Sequence, residues 1–225
     1  MVKIRGIIFD LDDTLYCEHD YVRSGFCAVA QALAEANGQD ATSIYDAFVQ
    51  EWQENGRGKV FDTVCERLHL FAEVADLVRI YRMHEPISLS LYEDADRLLS
   101  YLQKHSIARG LITDGDKRVQ WRKIKALRLE ERIPCIIVSD DLGRECWKPS
   151  RVPYEKALTC LGLAPAECAY VGDNPHKDFC TARALGMHTI RVVRPVGDHM
   201  STRLTPEMEA ERIVYSLEEI MEDIV

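Results

Sequence analysis

Positive charge is scarce in this chain: 28 Lys and Arg face 37 Asp and Glu, a formal net charge of −9. That balance disfavours a nucleic-acid-binding role, because phosphate backbones are gripped by clustered cations. A small anionic substrate stays open, since a metal ion and one or two placed lysines can reverse the sign of a site locally. Long apolar runs are absent, and no stretch reaches the ~20 residues that a membrane-spanning helix needs. The opening residues Met1-Val2-Lys3-Ile4-Arg5 lead at once into a strand pattern with no small-residue cleavage site, so a soluble, cytoplasmic protein is expected. The eight cysteines include no Cys-x-x-Cys pair and no Cys/His cluster at zinc-ligand spacing. Most sit among apolar neighbours and read as reduced thiols that act as small hydrophobes. Internal repeats, low-complexity tracts and flexible linkers are lacking too. What remains is 47% hydrophobic and 29% charged over 225 residues, enough for one domain plus a substantial insertion or for two small domains.

The hydrophobic periodicity changes twice along the chain. Ile7-Ile8-Phe9 is an apolar run of buried-strand type. A helical block of about seventy residues follows, with Val22, Phe26, Val29, Ala30 and Leu33 on one face and Asn37-Gly38 as a stop. Further helical patterns run over 43–53, 61–68 and 74–84, the first of them broken at Asn55-Gly56-Arg57-Gly58 and the last ending before Pro86. From Ile87 onward helix and strand alternate, which predicts a parallel sheet with crossover helices. Strands are expected at 109–113, 135–138, 168–171, 189–193 and 212–215, and helices near 93–104, 117–127, 153–161, 179–185 and 217–224. The first strand needs partners, and only the later strands can supply them. The sheet is therefore discontinuous in sequence.

Polar groups gather at the strand ends. Asp10-Leu11-Asp12-Asp13-Thr14-Leu15 leaves the first strand, where ligands of open α/β sheets collect. Asp-x-Asp alone is equally the pattern of a solvated turn. A calcium loop would need Gly and Glu where Leu15 and Tyr21 stand. Thr113-Asp114-Gly115 closes a second strand, and the glycine permits close backbone approach to an anion. Lys148-Pro149 lies between a strand and a helix, and Gly172-Asp173-Asn174-Pro175, with Asp178 beyond, ends a further strand in an acid pair.

In this order, these four pieces closely resemble the haloacid dehalogenase-like (HAD) superfamily, whose signature is Asp-x-Asp-x-Thr, a Ser or Thr at a strand end, a Lys, and an acidic Gly-Asp motif. The resemblance spans nearly the whole chain. It implies an α/β fold with a three-layer, Rossmann-like parallel-sheet core over 1–15 and 87–225, and an inserted α-helical bundle cap of the C1 type over 16–86. It also implies roles. Asp10 would be the nucleophile that forms an aspartyl-phosphate, and Asp12 the acid and base that serves the leaving oxygen and then the attacking water. Mg²⁺ would be held by the Asp10 side chain, the Asp12 backbone carbonyl and Asp173, with Asp178 in support. Thr113 and the amides near Asp114 and Gly115 would bind phosphoryl oxygens, and Lys148 would neutralise charge. Many relatives carry Lys-Pro-Asp at the third motif, where this chain has Lys148-Pro149-Ser150. Asp13 reads as a loop support.

The cap is expected to select the substrate, because it can close over the site. Arg57 and Lys59 sit among the glycines that break its helices and are candidates to contact a phosphorylated or carboxylated substrate; a solvated turn fits the same pattern. Tyr16, Tyr21 and Arg23 are lesser candidates for the mouth of the site. The expected activity is magnesium-dependent hydrolysis of a small phosphomonoester, a sugar phosphate or nucleotide monophosphate, with no nucleic-acid or membrane partner. A phosphosugar mutase shares the Asp pair. A haloacid dehalogenase would have no use for Asp12 or the Gly172-Asp173 motif, and a non-catalytic binding protein would be expected to have lost one of the matched residues.

Overall fold

A computed structural model describes residues 4–224, which form two compact units, 4–18 with 89–224, and His19–Ser88. The first unit is built on a six-stranded sheet in the order β3-β2-β1-β4-β5-β6. The strands are β1 (Gly6–Phe9), β2 (Ala108–Thr113), β3 (Cys135–Val138), β4 (Cys168–Gly172), β5 (His188–Val192) and β6 (Arg212–Val214). Every pairing is parallel. Ile7, Ile8 and Phe9 are fully buried, as a central strand covered on both faces requires. Strand order reverses at β1, which has β2 on one side and β4 on the other. Phe9 is in register with Leu111 of β2 and with Val171 of β4. Three strand ends therefore open together at the topological switch point, the place where an open parallel sheet leaves a crevice.

Helices cover both faces of this sheet. On one face, Tyr154, Ala157 and Leu158 of α7 (Arg151–Leu161) and Phe179 and Ala182 of α8 (Phe179–Ala184) pack on Ile8, Ile112 and Tyr170. Elsewhere in this unit, α5 (Glu93–Lys104) contacts β2, and α6 (Lys117–Ala126) contacts β3. Ser150 caps α7 through Val152 N–H, and Asp116 caps α6 through Arg118 N–H at 3.0 Å, satisfying amides that the first turn leaves without partners. The final segment is a 3₁₀ helix, Leu217–Asp223, where the periodicity predicts an α-helix. Its start is fixed by a capping box between Ser216 and Glu219.

The second unit holds α2 (Ala41–Asn55), α3 (Val60–Arg67), α4 (Val74–Met83) and all but the first residue of α1 (Glu18–Asn37). The apolar face read at Val22, Phe26, Val29, Ala30 and Leu33 is buried against Ile44, Phe48, Val64 and Leu77. Phe26 packs tilted and Phe61 edge-on against Phe48, at 5.6 and 5.2 Å between centroids. This unit begins at His19, three residues later than the expected boundary. Tyr16 stays with the sheet because it bridges Asp12 and Leu91. No helix among the described residues is long and apolar enough to cross a membrane.

Candidate active site

Asp10 follows the last residue of β1, and its amide donates to Val171 O at 2.8 Å, continuing the β1–β4 ladder by one bond. A cavity of about 310 Å³ opens here, lined by Asp10, Asp12, Asp13, Glu18, Asp114, Gly115, Trp147, Lys148, Asp173, Asn174, Lys177, Asp198 and His199. Seven of these residues are carboxylates (10, 12, 13, 18, 114, 173 and 198) and two are lysines. An anion enters such a site only if cations are placed to receive it.

Lys148 is the central cation. Its Nζ donates to Asp10 Oδ1 at 2.7 Å, to Asp178 Oδ1 at 2.8 Å and to Tyr170 Oη at 2.9 Å. Those three bonds use all three ammonium protons. Burial works against the charge, but Asp10 and Asp178 outweigh it and hold the Lys148 pKa well above the ordinary lysine value. The Lys148 backbone N–H is in turn held by the Asp114 carboxylate at 3.1 Å. Asp178 is fully buried, and its other oxygen accepts the Asn174 N–H at 3.0 Å. Gly172 is what lets it lie there, since a Cβ at 172 would strike the Asp178 carboxylate. Asp178 thus anchors Lys148 and the turn behind Asp173, and both its oxygens have protein partners.

Carboxylate oxygens of Asp10, Asp173 and Asp178 lie within 4.8 Å of one another, and all three residues are buried. Burial, opposed by Lys148, pushes Asp10 up to about 6. Asp173 is raised well above the carboxylate range by burial and by the neighbouring Asp178 and Asp10. Hard oxygen donors crowded in this way suit a hard divalent cation, which would relieve their repulsion. The donor set fits a metal.

Asp12 turns away from that cluster. Its Oδ1 accepts from Tyr16 Oη at 2.5 Å and from Lys123 Nζ at 2.8 Å, and its Oδ2 from Gln120 Nε2 at 2.9 Å. Burial raises its pKa, yet Lys123 and the hydrogen bonds dominate and bring it below the ordinary value. Without a metal, then, Asp10 is the carboxyl that holds a proton more readily and Asp12 the one that ionises more readily. This is the reverse of the division of labour that the resemblance implies. A cation beside Asp10 would lower its pKa and so remove the Asp10 half of that reversal, while Lys123 still favours the ionised form of Asp12.

Thr113 ends β2 fully buried and does not line the cavity; its Oγ1 accepts from Gln120 Nε2 at 2.5 Å. Asp114 and Gly115 do line it, and Gly115 has φ 124°, which strongly favours glycine. Asp13, with φ 51°, accepts the Glu18 N–H at 2.9 Å and the Asp198 N–H at 3.1 Å, tying the first loop to the segment after β5. Tyr16 is fully buried under Asp12. Arg57 and Lys59 lie in the helical unit, where the Arg57 guanidinium sits 5.8 Å from the Trp52 ring. Arg23 flanks the same ring at 6.0 Å, and Tyr21 is buried against His84.

The sequence reading missed several members of the site. Gln120 and Lys123 are buried polar residues on the stripe of α6 that also carries Ile124; a Gln and a Lys in phase with a core residue is a readable signal. Lys177 lies 3.8 Å from Asp114 and keeps 27% of its side-chain exposure, so it can reach an entering anion. Asp198 and His199 follow a segment without periodicity. They are placed by the fully buried Arg191, which donates to Asp173 O at 3.1 Å and to His199 O at 2.7 Å.

Residues 7–192 match the haloacid dehalogenase-like hydrolase family. The chain belongs to that family. It is 33% identical to the phosphoserine phosphatase of Thermus thermophilus, over 84% of this chain and 88% of that one. A glyceraldehyde 3-phosphate phosphatase from Methanocaldococcus jannaschii is 27% identical, over 85% of this chain and 86% of its own length. A HAD phosphatase from Thermococcus onnurineus shares the fold with a TM-score of 0.64 and 21% identity, covering 97% of each chain.

Proposed function

We propose that this HAD-like hydrolase is a magnesium-dependent phosphatase that cleaves a small phosphomonoester by way of an aspartyl-phosphate on Asp10, with the helical unit as its cap. The observation that carries this reading is the pair of carboxylates in the first loop. Asp10 faces Lys148, Asp173 and Asp178, whereas Asp12 is separately held by Lys123, Gln120 and Tyr16. Two carboxylates two residues apart in different electrostatic settings can do two jobs. The curated relatives named as phosphatases support the same reaction class.

In the first half-reaction an Asp10 oxygen attacks phosphorus as the bond to the leaving oxygen breaks, and that oxygen takes a proton from Asp12. In the second, water attacks the phosphorus of the aspartyl-phosphate and gives its proton to Asp12, so that inorganic phosphate leaves and the Asp10 carboxylate is restored. Lys148 and Lys177 offset the dianion's charge through both steps. Asp10, Asp173 and the Asp12 carbonyl would hold Mg²⁺, which supplies further charge neutralisation on the phosphoryl oxygens.

Two expected results follow from this assignment. Assayed with magnesium against triose and sugar phosphates, nucleoside monophosphates and phosphoserine, the protein releases inorganic phosphate stoichiometrically from at least one of them. Conversion of substrate to an isomeric phosphate with little release would instead identify a mutase. Millimolar Mg²⁺ should also raise the thermal midpoint at neutral pH, and less so near pH 5. The folded pKa of Asp10 is about 6 and that of Asp173 is raised; below pH 6 a proton increasingly occupies Asp10, and the cation must displace it. A magnesium shift that is unchanged, or larger, at the lower pH contradicts this metal site.

A further inference from the structure

Asp12 is held on both oxygens by side chains of one helix. Lys123 Nζ lies 2.8 Å from Oδ1 and Gln120 Nε2 lies 2.9 Å from Oδ2. The Lys123 side chain is only 4% exposed, against 20% for Asp12. Gln120, 1% exposed, has Thr113 Oγ1 at 2.5 Å and Asp114 O at 2.7 Å from the same nitrogen, so its two amide protons are shared among three acceptors and tie the first strand end to the second. Three residues apart, Gln120 and Lys123 share a face of α6, and the Asp116 cap fixes where that helix begins. Left unheld, a carboxylate in a strand-end turn can rotate toward cations or toward backbone amides. Here the two donors of α6, with Tyr16 Oη at 2.5 Å from Oδ1, prevent the rotation.

We propose that Gln120 and Lys123 are positioning residues that aim the Asp12 carboxyl at the leaving oxygen and then at the attacking water. The inference rests on the phosphatase reading above. The clamp acts where a proton must move: from Asp12 to the oxygen released as its bond to phosphorus breaks, and from water to Asp12 as the aspartyl-phosphate is cleaved. It has no part in the attack of Asp10 on phosphorus. A misaimed Asp12 therefore penalises poor leaving groups in the first step and every substrate in the second.

Magnesium-loaded enzyme with Lys123→Met or Gln120→Leu tests this on two substrates of similar shape. Phenyl phosphate needs a proton on its leaving oxygen, and p-nitrophenyl phosphate does not. In each variant kcat/KM for phenyl phosphate should fall by about 100-fold, and that for p-nitrophenyl phosphate by less than about threefold. Stopped flow should show a burst of nitrophenolate close to one per site, because phosphoryl transfer outruns hydrolysis of the intermediate. Lys123→Arg should recover part of the loss on phenyl phosphate. If Lys123→Met does not fold, Gln120→Leu decides, since it leaves no buried charge without its counter-ion. An equal fall on both substrates, or no fall on either, overturns the clamp alone. Wild-type enzyme that releases phosphate from neither ester, or an Asp10→Asn variant that retains activity, overturns the phosphatase reading and the clamp with it.

Discussion

Asp10→Asn lowers kcat by at least about ten-thousandfold, the scale on which loss of a covalent nucleophile is felt, and leaves the chain folded. The amide fills the same space at a site 1% exposed but cannot attack phosphorus. Stability moves the other way. With its folded pKa raised to about 6 from 3.8, Asp10 is ionised at neutral pH at a cost to the folded state. That cost disappears as the pH falls through 6 towards 3.8, where the folded form binds the extra proton. An uncharged Asn never carries it, so the metal-free variant should melt at or above the wild-type temperature at pH 7. Lys148 keeps a counter-ion in Asp178, at 2.8 Å. Circular dichroism melts alongside phosphate release measure both effects. A variant that is inactive because it is unfolded would not support the assignment.

Lys148→Met is expected to do the opposite to stability and nearly as much to catalysis. The ammonium is fully buried between Asp10 and Asp178. Its removal takes the direct counter-ion from two buried carboxylates beside a third, Asp173, and leaves only the more distant Lys177 to offset them. Breaking a buried pair from one side costs on the order of 3–5 kcal/mol, readable as a lower urea midpoint at an unchanged slope. Part of the loss should return on adding magnesium, because a cation bound at the same carboxylates replaces some of the missing charge. Turnover should fall about a thousandfold, as for removal of one preorganised charge from a transition state. The variant thus separates two functions of one lysine. Equal stability of wild type and variant would mean that Lys148 does not neutralise this cluster.

Short apolar runs and period-3.6 patterning made the six strands and the helical block legible, because burial on two faces or one leaves a trace in residue order. The strand ends were legible for a related reason. Asp10, Thr113 and Asp173 each stand directly at or after an apolar run, and parallel pairing of β1 with β2 and β4 brings those ends side by side. Residues whose place depends on tertiary contact were not. Gln120 and Lys123 reach Asp12 across more than a hundred residues of sequence, and Lys177 reaches the cavity from the turn before α8. The reversed ionisation of Asp10 and Asp12 was hidden for the same reason, since two aspartates two residues apart look alike until burial and Lys123 distinguish them. Arg191, inside the strand read at 189–193, carries no mark in the sequence of its role: it is fully buried and pins the loop that carries His199.

Direct chemical evidence for Asp10 as the phosphoryl acceptor is the decisive observation. Enzyme quenched in acid during turnover of p-nitrophenyl phosphate, then digested and analysed by mass spectrometry, should carry one phosphoryl group on the peptide that contains Asp10. Borohydride reduction should convert that residue, and no other, to homoserine. A phosphoryl group on a different side chain, or no adduct together with inversion of configuration at phosphorus, would contradict the account.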